Sequence, residues 1–129
     1  MINSTATTAR KGFDLFAYGW QTGDFESYIA MLADEMIFWF PMGTHRGKFM
    51  GVAGRQEMIA KCRDHTAAGD RLTLHEPHYV LTDGTSTLFE FDSDGLYGGQ
   101  PYQGHNAIAL QVQDDKIIGF REYFGDLGV

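Results

Sequence analysis

The stretch that most constrains this chain is Lys116-Ile117-Ile118-Gly119-Phe120-Arg121-Glu122-Tyr123-Phe124-Gly125. Its β-branched and aromatic content predicts a strand. Successive side chains of a strand point to opposite faces. One face is then Ile118, Phe120, Glu122 and Phe124; the other is Ile117, Gly119, Arg121 and Tyr123. The first face is apolar except for one carboxylate. Burying an acid among aromatic rings costs free energy unless the acid is paired or protonated, so Glu122 is the residue that demands a chemical reason. The expected role is general acid/base, with the carboxyl raised by desolvation.

The rest of the chain supplies what such a strand would close around. Phe13, Phe16, Ala17 and Trp20 recur at helical spacing, so a first helix starts at Thr7 or Thr8 and ends at Gly23. A short second helix follows over residues 25–32, with Asp24 as its cap. Met36 to Phe40 reads as a strand stopped by Pro41. Residues 42–54 hold Gly43, Gly47, Gly51 and Gly54 around His45 and Arg46, a hairpin or irregular loop. A third helix is expected over 55–66, with Met58, Ile59, Cys62 and His65 marking one side. Four strands then follow: 71–82, with Pro77 at a bulge or edge; 85–92, after the turn signal Asp83-Gly84; 102–113; and 116–125. Residues 93–101, with Gly95, Gly98 and Gly99, read as a loop able to move over a pocket.

Helices followed by consecutive strands is an α+β order. The predicted architecture is a cone, a curved antiparallel sheet wrapped around three N-terminal helices, and the whole of 1–129 is taken as one domain. A cone with an aromatic interior suits a small apolar or aromatic ligand. The residues expected to line it are Phe16, Trp20, Phe38, Phe40, Met58, Phe89, Phe91, Asn106, Ile108, Phe120 and Phe124. Asn106 shares the alternation of Ile108 and Leu110, where an inward amide could orient a ligand carbonyl. His75 and His78 face opposite sides of a regular strand, and His78 is the candidate catalytic partner of Glu122.

Other classes are disfavoured. The formal net charge is −7 and no basic stripe exists, which argues against nucleic acid and anionic membranes. Cys62 is the only cysteine, so no disulfide forms within the chain and multi-thiolate zinc sites are excluded. The segment His75-Glu76-His78 lacks the helical spacing of metallohydrolase motifs, and neither a metal nor a cofactor is expected. No nucleophile elbow or phosphate-binding glycine motif is present. The polar start, without an apolar stretch long enough for a leader or a span, predicts a cytoplasmic protein.

Several of these segments together resemble the nuclear transport factor 2-like superfamily. They are Gly23-Asp24-Phe25; Leu32-Ala33-Asp34-Glu35 before an aromatic strand ending in Pro41; Gly47 and Gly54-Arg55-Gln56-Glu57-Met58-Ile59; and the closing Asp115-Lys116-Ile117 and Arg121-Glu122-Tyr123-Phe124. Within it the chain is most similar to the SnoaL-like group, which includes polyketide cyclases, ketosteroid isomerases and limonene epoxide hydrolases. The resemblance implies the cone fold and a homodimer formed through the outer sheet face, where Ala107, Ala109, Ile117, Gly119 and Tyr123 are expected. The isomerase Tyr and two Asp would fall at Phe16, Phe40 and about Ile108, all apolar here, so that mechanism is not expected. The last Asp of the epoxide hydrolase set falls at Glu122, while its Arg and first Asp fall near Glu90 and Asp92, leaving the Arg missing. SnoaL-type cyclases use an acid on a late strand, which is Glu122 here. The implied activity is proton transfer, namely isomerisation, cyclisation or dehydration; the alternative is a non-catalytic binding or assembly module.

Overall fold

The structure is a computed structural model that describes residues 4–125. Helix α1 (Ser4–Thr22) buries Ala9, Gly12, Phe13, Phe16, Gly19 and Trp20, one stripe at helical spacing. It stops where Gly23 takes a left-handed φ of 85°. Asp24 Oδ1 accepts the Glu26 N–H at 3.0 Å and so starts the short helix α2 (Glu26–Ala30). Helix α3 (Val52–Ala68) begins three residues before its predicted start, because Gly51 turns into it at φ 67°. It packs on strand β1 (Leu32–Phe40) so closely that a Cβ on Gly54 would lie 1.8 Å from the Met36 carbonyl oxygen.

β1 starts at Leu32, four residues before the predicted Met36. The segment Ala33-Asp34-Glu35 has little strand propensity of its own; long-range pairing of Leu32 with Ile117 holds it. The remaining strands are β2 (Gly47–Phe49), β3 (Arg71–Leu74), β4 (Tyr79–Asp83), β5 (Ser86–Tyr97), β6 (Gln100–Gln113) and β7 (Lys116–Gly125). They form one sheet in the order β2-β1-β7-β6-β5-β3, with β4 also on β5. The sheet is mixed, not purely antiparallel: β1 runs parallel to β7, and every other pair is antiparallel. The predicted strand 71–82 is two strands, β3 and β4, both laid along the same edge of β5. Pro77 has no N–H to continue the ladder. The flanking His75 and His78 N–H groups rejoin it on Asp92 and Glu90 carbonyls.

The predicted loop 93–101 is also corrected. β5 runs on to Tyr97 and β6 begins at Gln100, so Gly98 and Gly99 are a two-residue hairpin turn, both at positive φ. The glycines suggested irregularity; the cross-strand register from Ser86↔Gln111 to Tyr97↔Gln100 shows regular pairing.

The register of β7 carries a bulge. Gln111 pairs with Gly119 and Val112 with Ile117, so Ile118 is the extra residue. Upstream of it the alternation flips. Ile117, expected on the outer face, is fully buried in the core, and Ile118 is only half-buried. Downstream, Phe120 and Glu122 point inward as the alternation predicts. The core is aromatic: Phe13 stacks on Phe89 at 4.7 Å and Phe38 on Phe120 at 5.7 Å. No described helix is long and apolar enough to cross a membrane.

Candidate functional site

Directly against this core lies a cavity of about 540 Å³. Its aromatic wall is built from Phe16 and Trp20 of α1, Phe40 of β1, Phe91 of β5, and Tyr97 and Tyr102 beside the hairpin turn. Glu122 is 7 % exposed and lines it. On β6, Ile108 is the register partner of Glu122 and Asn106 is two residues away on the same face. Asn106 Nδ2 therefore reaches Glu122 Oε2 and donates to it at 2.8 Å. The other oxygen, Glu122 Oε1, is buried and has no hydrogen-bond partner among the described residues. Desolvation pushes the Glu122 carboxyl above its ordinary value; the Lys61 charge and the Asn106 amide pull the other way without cancelling it.

Opposite Glu122, helix α3 presents Lys61 and His65 one turn apart. Lys61 is 3 % exposed and sits over the Phe40 ring at 4.5 Å and the Trp20 ring at 5.1 Å. Burial lowers its ammonium below the usual lysine value, while Glu122 holds it up. Its Nζ lies 3.1 Å from His65 Nε2, and His65 Nδ1 lies 2.8 Å from Asp70 Oδ2. A neutral imidazole that donates Nδ1–H to Asp70 leaves Nε2 free to accept from Lys61, which fixes the tautomer. Burial and the adjacent Lys61 hold His65 at about 4, despite the Asp70 contact. Burial also pushes Asp70 up, but the His65 contact, the Gly98 N–H at 2.9 Å and Arg71 outweigh it, and Asp70 lies below its ordinary value. Asp70 thus ties the β5–β6 turn to the end of α3.

The floor of the cavity is a row of coupled polar groups, Asp70, His65, Lys61, Glu122 and Asn106, within an aromatic shell. A low-dielectric wall strengthens each interaction. The arrangement can hold a proton on Glu122, release it to a bound molecule, and place a cation near any negative charge that then develops.

The SnoaL-like domain family matches residues 13–120. The chain belongs to this family. An NTF2-like protein from Anabaena variabilis is 31% identical, with a TM-score of 0.86 over 96% of this chain and 91% of that one. A candidate polyketide cyclase from Xanthomonas campestris shares the fold at 18% identity and TM-score 0.73, covering 94% and 93% of the two chains. An LEH-like epoxide hydrolase of M. tuberculosis does so at 21% identity and TM-score 0.66, covering 92% and 84%. No curated protein matches the sequence.

For this SnoaL-like protein, seven residues singled out by sequence line the cavity together: Phe16, Trp20, Phe40, Phe91, Asn106, Glu122 and Phe124. Five others do not. Phe38, Met58, Phe89, Ile108 and Phe120 are at most 1 % exposed and form the packed core beneath it. They share the inward alternation of the lining residues but lie deeper, where α1 and α3 close onto the sheet. His78 is also displaced. His75 faces outward in phase with β3, and the break at Pro77 brings His78 to the same outer sheet face, where its Nε2 is 2.8 Å from Asp92 and cannot serve Glu122. The partners of Glu122 that sequence reasoning missed are Lys61 and, through it, His65 and Asp70. Their signal was present: Met58, Lys61, Cys62 and His65 follow helical spacing, and a lysine inside an apolar stripe is as anomalous as an acid on an apolar strand face.

Proposed function

We propose that this SnoaL-like protein binds a small, largely apolar molecule in the aromatic cavity and transfers a proton on it, with Glu122 as acid/base. The observation that carries this reading is a buried carboxyl at the cavity floor with one oxygen bonded by Asn106 and the other without a partner among the described residues. Half-satisfied buried acids are costly, and a substrate that supplies the missing contact relieves that cost. Lys61 would stabilise an oxyanion formed when a proton leaves the carbon beside a carbonyl. Isomerisation, cyclisation and dehydration all pass through such a step. Phe16 and Phe40 line the cavity at the positions where ketosteroid isomerases carry Tyr and Asp, which supports a distinct arrangement of acid and oxyanion partner.

The test is deuterium uptake at α-carbons. Wild type and Glu122→Gln are incubated in D2O with a panel of cyclic and aryl ketones, with binding followed by saturation-transfer NMR. Wild type should exchange α-protons of those ketones it binds, and the Gln variant should retain binding while exchange falls by about 10²–10⁴. Ketones bound without exchange by wild type, or exchanged equally by both proteins, would overturn the catalytic reading and leave a binding module.

A further inference from the structure

The face of β5 opposite Phe91 carries a second group of chemistry-bearing side chains. Glu90, Asp92 and Asp94 alternate along it. Among the described residues their ion-pair partners are all histidines: His105 for Glu90, His78 and His105 for Asp92, and His75 for Asp94. Among the described residues no Lys or Arg side chain forms an ion pair with any of the three. We propose that His78, Asp92 and His105 form a binding site for a divalent transition metal of the zinc class.

The geometry comes from the sheet. Asp92 and His105 are direct register partners on β5 and β6. His78 is anchored on the other edge of β5 by its N–H on the Glu90 carbonyl at 2.8 Å. Three adjacent backbone segments therefore deliver the three donors, and ladder hydrogen bonds hold each one. The donor atoms all lie within 4.8 Å of one another. His78 Nε2 is 2.8 Å from Asp92 Oδ2, and His105 Nδ1 is 2.6 Å from Asp92 Oδ1. The two imidazole nitrogens thus converge on the two oxygens of a single carboxylate, and a cation drawn between them needs only small side-chain rotations.

An independent feature sets the ligand chemistry. The second nitrogen of His105, Nε2, lies 2.5 Å from Glu90 Oε2. A proton held there for Glu90 leaves Nδ1 as a lone pair aimed at the Asp92 oxygens. A carboxylate that orients the far nitrogen of a histidine is the usual support of a metal-ligating imidazole. Two imidazoles and one carboxylate suit zinc, cobalt or nickel better than magnesium or calcium, which prefer oxygen donors. Three protein ligands leave at least one position open to water. The spacing His75-Glu76-His78 concealed this site, because its partners lie across the sheet and not along one strand.

The test uses the full chain, stripped with chelator, titrated with Zn2+ by calorimetry and with Co2+ by visible absorption. Wild type should bind one equivalent with micromolar affinity. His78→Ala and Asp92→Asn should each weaken binding at least tenfold, Glu90→Gln about ten- to a hundredfold, and His75→Ala should leave it unchanged. Should a variant fail to fold, Co2+ added to wild type should broaden the ring-proton signals of His78 and His105 and spare those of His65. Absence of Zn2+ binding tighter than millimolar, affinity unaltered by His78→Ala and Asp92→Asn, or Co2+ broadening centred elsewhere would overturn the assignment.

Discussion

Glu122 and Lys61 show how far a single residue can be read. Glu122 stood out because Phe120 and Phe124 flank it at strand spacing, and the bulge at Ile118 lies upstream, so the alternation around the acid survives. Lys61 has the same anomaly in helical form but is one residue from Cys62, and a small shift in the assumed helix face hides it. Two opposite charges buried together need not remain charged; each is pushed toward neutrality by burial and held back by the other. Replacing Lys61 with Met removes the cation while keeping volume and apolar contact with Phe40 and Trp20. The Glu122 carboxyl should then titrate at still higher pH than in wild type, and the folded state should be no less stable, because Glu122 can take a proton. An NMR titration of the Glu122 side-chain carboxyl beside a urea unfolding curve checks both. A Glu122 titration that does not move would mean that Lys61 does not act on it.

At the scale of elements, the misreadings share a cause. The mixed sheet arises from β1 meeting β7 across most of the chain, and no local pattern encodes whether such a pair runs parallel. The one-residue bulge at Ile118 reverses a face and moves Ile117 into the core, whereas the two-residue register shift at Pro77 keeps the alternation of β3 and β4 in phase and leaves His78 in the break, bonded to Asp92. The helices were legible because α1 carries its stripe within one local segment. Gly54 adds a case that sequence leaves silent: helix α3 lies against β1 with no room for a side chain. Gly54→Ala should force the helix and the strand apart and cost about 3 kcal/mol, at the upper end of overpacking effects. Gly69→Ala, with nothing within 4 Å but a left-handed φ of 80°, should cost only about 1 kcal/mol. Denaturant midpoints of the two variants measure the difference, and an equal loss for both would show that contact with Met36 is not what selects glycine at position 54.

For the molecule as a whole, the cavity's polar floor links folding to pH. His65 falls from an ordinary 6.5 to about 4 in the folded state, chiefly through burial and then through Lys61. A histidine depressed on folding stabilises as the neutral ring. That stability is fully present above about 6.5 and is lost as pH falls from there toward about 4. The loss over this window is roughly 3 kcal/mol if the shift is fully expressed. Asp70, also depressed, adds to the loss at still lower pH, because its carboxylate must be protonated as the chain acidifies. Glu122 works in the opposite sense. Its raised carboxyl favours the protonated form, so its contribution is present at low pH and fades as pH rises through its folded value. Acid therefore loosens the α3 side of the cavity while it eases the strain on the β7 side. Urea midpoints measured from pH 7 to pH 4 should decline for wild type and decline much less for His65→Gln, which keeps a hydrogen-bonding side chain but cannot take up the proton. A variant curve parallel to that of wild type would place the acid-sensitive group elsewhere and would remove His65 from the electrostatic floor of the site.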